Sequence, residues 1–268
     1  KAELKPEARR KLLSFIVVGG GATGVELASS MHDLFHKILA RDYPRINPTD
    51  VGLFVAEAGP ALLAGMDPGM GRIALSKLRV QGVDMHLGTR ISGVAEDGVH
   101  TADAAFQPAH TVIWASGIRA NPLVEPLPVL KHKDGRIVVQ DTLEVPQWPG
   151  VYAVGDVAYL VDKATNMPLP CKASVAAQEG PAVAHNILRS IKKEPQVPFR
   201  NRYEGDLVAL GRNASVAKFA GRCFDGLPAW FMWRSVHLWK LPGFRNRVSV
   251  GLDWTFDYIF RRDTMRLE

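Results

Sequence analysis

Gly19, Gly21 and Gly24 stand at the spacing G-x-G-x-x-G within FIVVGGGATGVELASSM, residues 15–31. That spacing suits the cradling of a pyrophosphate. The first glycine permits a tight turn, the second lets the backbone approach the phosphates, and the third lets a helix pack close on a strand. The free N–H groups at the helix start would then face the anion. Alone the pattern is weak, because glycine-rich turns also arise where nothing binds. Its setting strengthens it: the turn follows an apolar run, opens a helical segment and precedes a second strand ending in Glu57. A carboxylate there can accept both ribose hydroxyls of an adenosine and would repel a 2′-phosphate. The expected ligand is therefore NAD(H) rather than NADP(H). No Lys or Arg in AEAGPALL, residues 56–63, is available to rescue such a phosphate. Glu57 comes later than the usual ~20 residues after the glycines, because a long helix and a loop intervene.

His32 and His36, four residues apart on the same helix, could in principle share a metal ion. No third ligand is suggested nearby, so they read as solvated helix-face histidines and no metal is expected. Cys171 and Cys223 follow no metal or redox spacing and read as free thiols in a reducing compartment.

The elements that position the glycine turn follow β-α-β order. Residues 14–18 read as a buried strand, 24–40 as a helix, 43–50 as a loop and 51–57 as a second strand. A further helix and strand fall within residues 69–91, and two or three short strands within 93–117. This order predicts a parallel sheet with helical crossovers. Residues 121–149 read as proline-rich loops around one strand at 135–140. GVYAVGDVA, residues 150–158, reads as a short buried strand ending in Gly155-Asp156. Residues 172–191 form a helix that Pro181 either interrupts or starts. After a linker-like stretch at 192–202 the composition shifts toward tryptophan and arginine.

At 268 residues, with 47% apolar and 22% charged, the chain has the composition of a folded soluble protein of one large domain or two ordinary ones. The formal net charge of +6 suits nucleic acid, an anionic membrane or a phosphate-rich ligand, and does not choose among them. The N-terminus has no apolar signal-peptide core and begins without methionine, as expected of a segment cut or trimmed from something longer. No uncharged apolar run approaches the ~18 residues of a bilayer span.

Five motifs occur in order: VVGGGATGVELA at 17–28, TVIWASGIRANP at 111–122, GVYAVGDVA at 150–158, AAQEGPAVAHNI at 176–187, and GFRNRVSVGLDWTFDYIFRRD at 243–263. Together they make the chain similar to the type II NADH dehydrogenases, single-subunit flavoenzymes that pass electrons from NADH to a quinone at the membrane surface. The first three are shared by the wider two-dinucleotide-domain flavoprotein family; the last two are more specific. The resemblance implies an α/β fold in three parts. These are a Rossmann-like NADH-binding domain (1–120), the C-terminal portion of an FAD-binding α/β domain (121–191) and a C-terminal membrane-associating region (192–268). It departs from the family in holding one glycine turn where two are usual. The turn present resembles the NADH turn, so a leading segment of about one domain's size, carrying the first FAD turn, is expected to be absent.

By the same resemblance, Gly155 and Asp156 hold the ribityl or phosphate part of FAD. A short side chain at a strand's C-terminal end can reach a ligand in the sheet crevice, which agrees; a turn aspartate is the plainer reading. Ala177 and Gln178 match an alanine-glutamine motif beside the flavin and quinone, where an amide can donate to a carbonyl oxygen. Glu26 corresponds to a glutamate discussed in proton delivery, although an acid in a first helical turn also suits the helix dipole. Ala115, Ser116 and Gly117 match the turn beneath the nicotinamide ribose. Near Glu204 the family often carries a lysine, and no role transfers to the acid found there.

Four of the six tryptophans, Trp230, Trp233, Trp239 and Trp254, lie among Arg and Lys in the tail. Indoles and basic residues belong together at a bilayer interface. Val248, Val250, Leu252, Trp254, Phe256, Tyr258 and Phe260 alternate, a pattern that by itself favours a strand; the resemblance implies helices, and helices are expected. The partners implied are a quinone and a membrane surface, at the cytoplasmic face of a bacterial inner membrane or a matrix face. No recognised nucleic-acid module accompanies the aromatics, and a homodimer stays open. The rival reading is a truncated, non-catalytic module that binds NAD(H) and associates with membrane.

Overall fold

The computed structural model describes residues 6–260. It divides into two compact units: residues up to Ser116 together with those from Gly205 onward, and Gly117–Glu204 between them.

The first unit is built on a four-stranded parallel sheet. Helix α1 (Pro6–Leu12) leads into β1 (Ser14–Val18), and α2 (Ala22–Asp33) follows the glycine turn. The helix does not run regularly to Ala40 as expected: it passes into a π-helical turn at Leu34–Leu39 and a short segment α3 (Ala40–Asp42). Strand β2 (Gly52–Glu57), helix α4 (Pro68–Val80) and β3 (Asp84–Leu87) come next. Asp67 caps α4 by accepting the Gly69 N–H at 2.8 Å, and Pro68 occupies the first turn, where its missing N–H costs nothing.

An antiparallel meander of β4 (Ile91–Ala95), β5 (Gly98–Thr101) and β6 (Phe106–Pro108) then leads to β7 (Thr111–Trp114). The parallel order is β3-β2-β1-β7, with Val17 opposite Val55 and Ile113. After Ser14 the run FIVV is apolar because both faces of the strand are covered there. Val17 packs with Val25, Ala28 and Val55, while Ile16 and Val18 pack with Phe54, Ile91 and Val99.

The same unit ends in an antiparallel sheet of β12 (Asp206–Ala209), β13 (Ser215–Phe219) and β14 (Arg222–Asp225). Its Val208 and Val216 join the Val17 core. Two helices follow, α6 (Gly226–Lys240) and α7 (Phe244–Ile259). The alternating tail is therefore helical, and Pro242 and Gly243, the latter at φ +82°, form the break between the two. Arg261 to Glu268, including the basic end of the tail motif, lie outside the described residues.

The second unit packs around Leu143, Val145, Ala158 and Val175. Its strands are short: β8 (Ile137–Val138) pairs in parallel with β9 (Ala158–Tyr159), and β10 (Val161–Asp162) pairs antiparallel with β11 (Met167–Pro168). The strand expected at 135–140 is thus only two residues long. The segment 150–158 forms an isolated bridge at Tyr152, a 3-10 turn at Gly155–Val157 and the first residue of β9 rather than one continuous strand. Helix α5 (Ala173–Ile191) runs through Pro181, which neither starts nor interrupts it. Lacking an N–H, Pro181 leaves the Ala177 carbonyl without its helical donor.

Candidate functional site

The three glycines of the turn answer to different neighbours. Gly19 sits at φ +114°, and a Cβ there would lie 2.8 Å from the Ala115 carbonyl oxygen and 3.0 Å from Ser116 Cβ. A Cβ on Gly24 would lie 1.8 Å from the Gly19 carbonyl oxygen, because α2 starts directly against the turn. Gly21 differs: it precedes α2, is exposed, and nothing lies within 4 Å of where its Cβ would be. No side chain caps this helix start. The first N–H groups of a helix need an external acceptor, and here the space in front of them is open. The protein's own packing requires Gly19 and Gly24, whereas no described neighbour requires a glycine at Gly21.

Glu57, at the end of β2, locks the same turn. Its Oε2 accepts the Gly20 N–H at 2.6 Å and its Oε1 accepts the Gly59 N–H at 2.7 Å. An ionised carboxylate has about four acceptor sites, so each oxygen can still accept from a ribose hydroxyl. Ala115 extends the parallel pairing beyond β7 by donating its N–H to the Val18 oxygen at 2.8 Å. The Trp114 indole donates to the Ser116 oxygen at 2.8 Å. Gly19, Glu57, Ala115 and Ser116 are thereby gathered at one end of the sheet. Gly117 begins the second unit at φ +81°.

Glu26 lies on the side of α2 facing β12, where its Oε1 accepts the Ala209 N–H at 2.9 Å. Burial pushes its carboxyl above the ordinary range, against the Ala209 bond and the nearby His237, which both lower it. It is a half-buried acid with an incentive to hold a proton.

In the second unit, Gly155 adopts φ +68° and the Asp156 side chain is exposed. Asp156 lines a cleft of about 550 Å³ together with Arg119, Asn121 and Glu125. Ile118, Pro122 and Val157 give the cleft an apolar side as well, and the carboxylate at its wall can accept from the hydroxyl groups of a ligand. Behind it stands Glu179, which the sequence reading passed over. It is 3% exposed, and its Oε2 accepts the Gly155 N–H at 2.5 Å. Burial raises its carboxyl; the Gly155 bond lowers it and Asp156 raises it further. Its signal was available, since Val175, Glu179 and Asn186 share the buried face of α5.

Gln178 is committed to the chain itself. Its Nε2 donates to the Ser174 oxygen at 3.0 Å and the Arg202 oxygen at 3.1 Å, and its Oε1 accepts the Arg202 N–H at 2.9 Å. Ala177 beside it is exposed. His32 and His36 stack with ring centroids 4.2 Å apart. Among the described residues no group of three or more His, Cys, Asp or Glu side chains could hold a metal ion.

Comparison with known proteins places the chain in a family. Residues 1–184 match the pyridine nucleotide-disulphide oxidoreductase family, and residues 203–263 match the NDH2 C-terminal domain. The chain belongs to the pyridine nucleotide-disulphide oxidoreductase family. It is 30% identical over 263 residues to a probable NADH dehydrogenase of Dictyostelium discoideum, covering 97% of this chain and 57% of the relative. It is 31% identical over 268 residues to the type II NADH:quinone oxidoreductase Ndh of Mycobacterium tuberculosis, covering 96% and 57%. The chain thus spans little more than half the length of these curated relatives. The fold is that of the NDH2 structure from Plasmodium falciparum solved in complex with NADH. That match has a TM-score of 0.86 at 16% identity and covers 98% of this chain and 69% of the other. Family membership and the α/β fold expected from the motifs both hold.

Proposed function

We propose that this chain is the NADH-binding and C-terminal part of an FAD-dependent NADH:quinone oxidoreductase that works at a membrane surface without pumping protons itself. The observation that carries the reading is the open space at Gly21, in front of an uncapped helix start and beside Glu57. The backbone N–H groups at residues 21–23 bind the NADH pyrophosphate, and the remaining acceptor sites of Glu57 bind the adenosine ribose. The wall made by Ala115 and Ser116, with Gly117 after it, has side chains small enough for a nicotinamide to lie against. Asp156, at its cleft, holds the hydroxyl-bearing chain of FAD, and Glu179 fixes the Gly155–Asp156 backbone for that purpose. Bound FAD supplies the hydride-accepting and electron-passing chemistry. Glu26 is the proton-holding group on the NADH-binding side. Gln178 acts as a positioning residue, keeping residues 201–202 against α5 on the quinone side.

The composition of the tail supports a peripheral membrane location, which we assign to the cytoplasmic face of a bacterial membrane or a matrix face. Phe231, Trp239, Phe244 and Phe256 are each more than half exposed, and exposed Lys240 and Arg245 accompany them. Among the described residues no helix is long and apolar enough to cross a membrane.

The test is a visible spectrum of the purified chain incubated with FAD, before and after anaerobic NADH. Retained oxidised flavin that bleaches with NADH and recovers on adding a short-chain quinone is the expected result. A colourless protein that still binds NADH would overturn the catalytic reading for this chain and leave a nucleotide-binding module.

A further inference from the structure

The loop between β2 and α4 turns back over the glycine turn, and one of its residues is held in a costly conformation. Leu63 sits at φ +55°, a left-handed backbone that branched side chains rarely adopt. Nor is it at the surface: Leu62 and Leu63 are 3% and 2% exposed and pack in the Val17 core. Such conformations persist where the surroundings impose them, and they gather at functional sites. An aliphatic side chain carries no chemistry, so whatever this conformation provides lies in the backbone.

The Leu63 N–H donates to the Gly20 oxygen at 2.8 Å, and the Leu63 oxygen accepts the Met66 N–H at 3.0 Å. Helix α4 lets the loop approach closely, since a Cβ on Gly71 would lie 2.4 Å from the Leu62 carbonyl oxygen. Gly20 is thereby gripped at both polar groups, because Glu57 Oε2 accepts its N–H at 2.6 Å. There is no room for a side chain at this position either: a Cβ would lie 2.5 Å from Leu62 Cδ2. The Gly20–Gly21 peptide is trans, as is every peptide among the described residues. In a planar trans peptide the C=O and the following N–H point in opposite directions. With the Gly20 C=O turned in toward Leu63, the Gly21 N–H is turned out, toward the open space in front of α2.

A peptide between two glycines is the easiest kind to flip, because neither residue carries a Cβ to resist the new backbone angles. Flipped, it would present a carbonyl oxygen to an anion in place of a donor. We propose that Leu63 is a positioning residue for the nucleotide. Its backbone N–H locks the Gly20–Gly21 peptide in the orientation that offers a donor to a pyrophosphate. The left-handed conformation aims that N–H, and burial of Leu62 and Leu63 in the core holds the conformation in place. The inference deepens the NADH reading and rests on it for the identity of the anion.

The test replaces Leu63 in the full chain by its α-hydroxy acid, which turns the amide into an ester and removes the N–H while keeping the side chain. Leu63→Met is the control, since it keeps the N–H and nearly the same volume. NADH affinity is read by calorimetry, and the glycine amides by proton–nitrogen correlation spectra of the chain without nucleotide. The ester should weaken NADH binding about fivefold or more. It should also split or broaden the Gly21 cross-peak while those of Gly211 and Gly221 stay in place. Leu63→Met should keep the affinity within about twofold and the Gly21 cross-peak single. An unchanged Gly21 cross-peak in the ester overturns the lock, as does equal weakening by Leu63→Met. A flipping Gly21 peptide with NADH affinity kept within about twofold overturns the positioning role. Should the ester not fold, hydrogen exchange of the parent decides. Its Leu63 amide should be protected about hundredfold or more, and further protected by bound NADH. An amide that exchanges at the open-chain rate, or is indifferent to bound NADH, overturns the proposal. A parent chain that binds no NADH sinks the nucleotide reading alone, and the Gly21 cross-peak of the ester still decides the lock.

Discussion

Two glycines three residues apart should fail in opposite ways when each gains a methyl group. Gly21→Ala meets no protein atom, so its unfolding free energy should stay within about 0.5 kcal/mol of the parent. Its NADH affinity should fall by about tenfold or more, because the methyl enters the space proposed for the pyrophosphate. Gly24→Ala drives a Cβ into the Gly19 carbonyl and should cost about 1–3 kcal/mol of stability. Denaturation and NADH titration of both variants would check the pair. Glu26 makes a different prediction. Its folded-state carboxyl is raised by burial, so its favourable protonated contribution is complete below the unfolded pKa and is lost as pH rises through the folded one. Glu26→Gln keeps an acceptor for the Ala209 N–H and cannot ionise. The variant should therefore gain on the parent as pH rises through that window, as read by urea midpoints across a pH series. The types and spacing of Gly19, Gly21, Gly24 and Glu57 were legible in the sequence. That Glu57 also clamps Gly20 and Gly59 was not, because those bonds go to backbone that no side-chain pattern reports.

Among the elements, α7 shows how a pattern can point two ways. Alternating residues from 248 to 260 also form two stripes of period four. One holds Val248, Leu252, Phe256 and Phe260, all exposed; the other holds the half-buried Val250 and Trp254. A strand reading and a helix apolar on two faces produce the same letters, and only family resemblance separated them. The buried parallel strands β1 and β2 were legible because a core run bounded by glycine has few alternatives. The two-residue β8 and the bridge at Tyr152 were not, because residues 117–204 hold little regular sheet and take their shape from loops. At the start of α4, Lys218 pairs with Asp67 at 2.5 Å and Cys223 donates to it at 3.3 Å, tying this helix to β13 and β14. The Lys218 bond, with the Gly69 N–H and the Cys223 thiol, brings the Asp67 carboxyl down to about 2. That contribution is complete above the ordinary pKa of 3.8 and is lost as pH falls toward 2. Asp67→Asn should therefore be less stable than the parent at neutral pH and converge with it in acid, as followed by circular dichroism. In α5, Gln178→Ala frees both groups of Arg202 that the amide now holds. A loss of about 1–2 kcal/mol is expected, with faster hydrogen exchange at Arg202.

For the whole molecule, the division of labour follows the chain. The unit that holds the glycine turn also carries the C-terminal sheet and helices, and the intervening residues 117–204 hold Asp156 and Gln178. The nucleotide turn is complete within the first unit, so NADH binding should not depend on flavin. The most direct measurement is a calorimetric titration of the full chain with NADH and with NADPH, repeated on Gly21→Ala. Saturable one-to-one NADH binding is predicted, with NADPH weaker by about tenfold or more because its 2′-phosphate meets Glu57, and with NADH binding lost in the variant. NADPH binding as tight as NADH, or an unchanged NADH affinity in Gly21→Ala, would contradict the account.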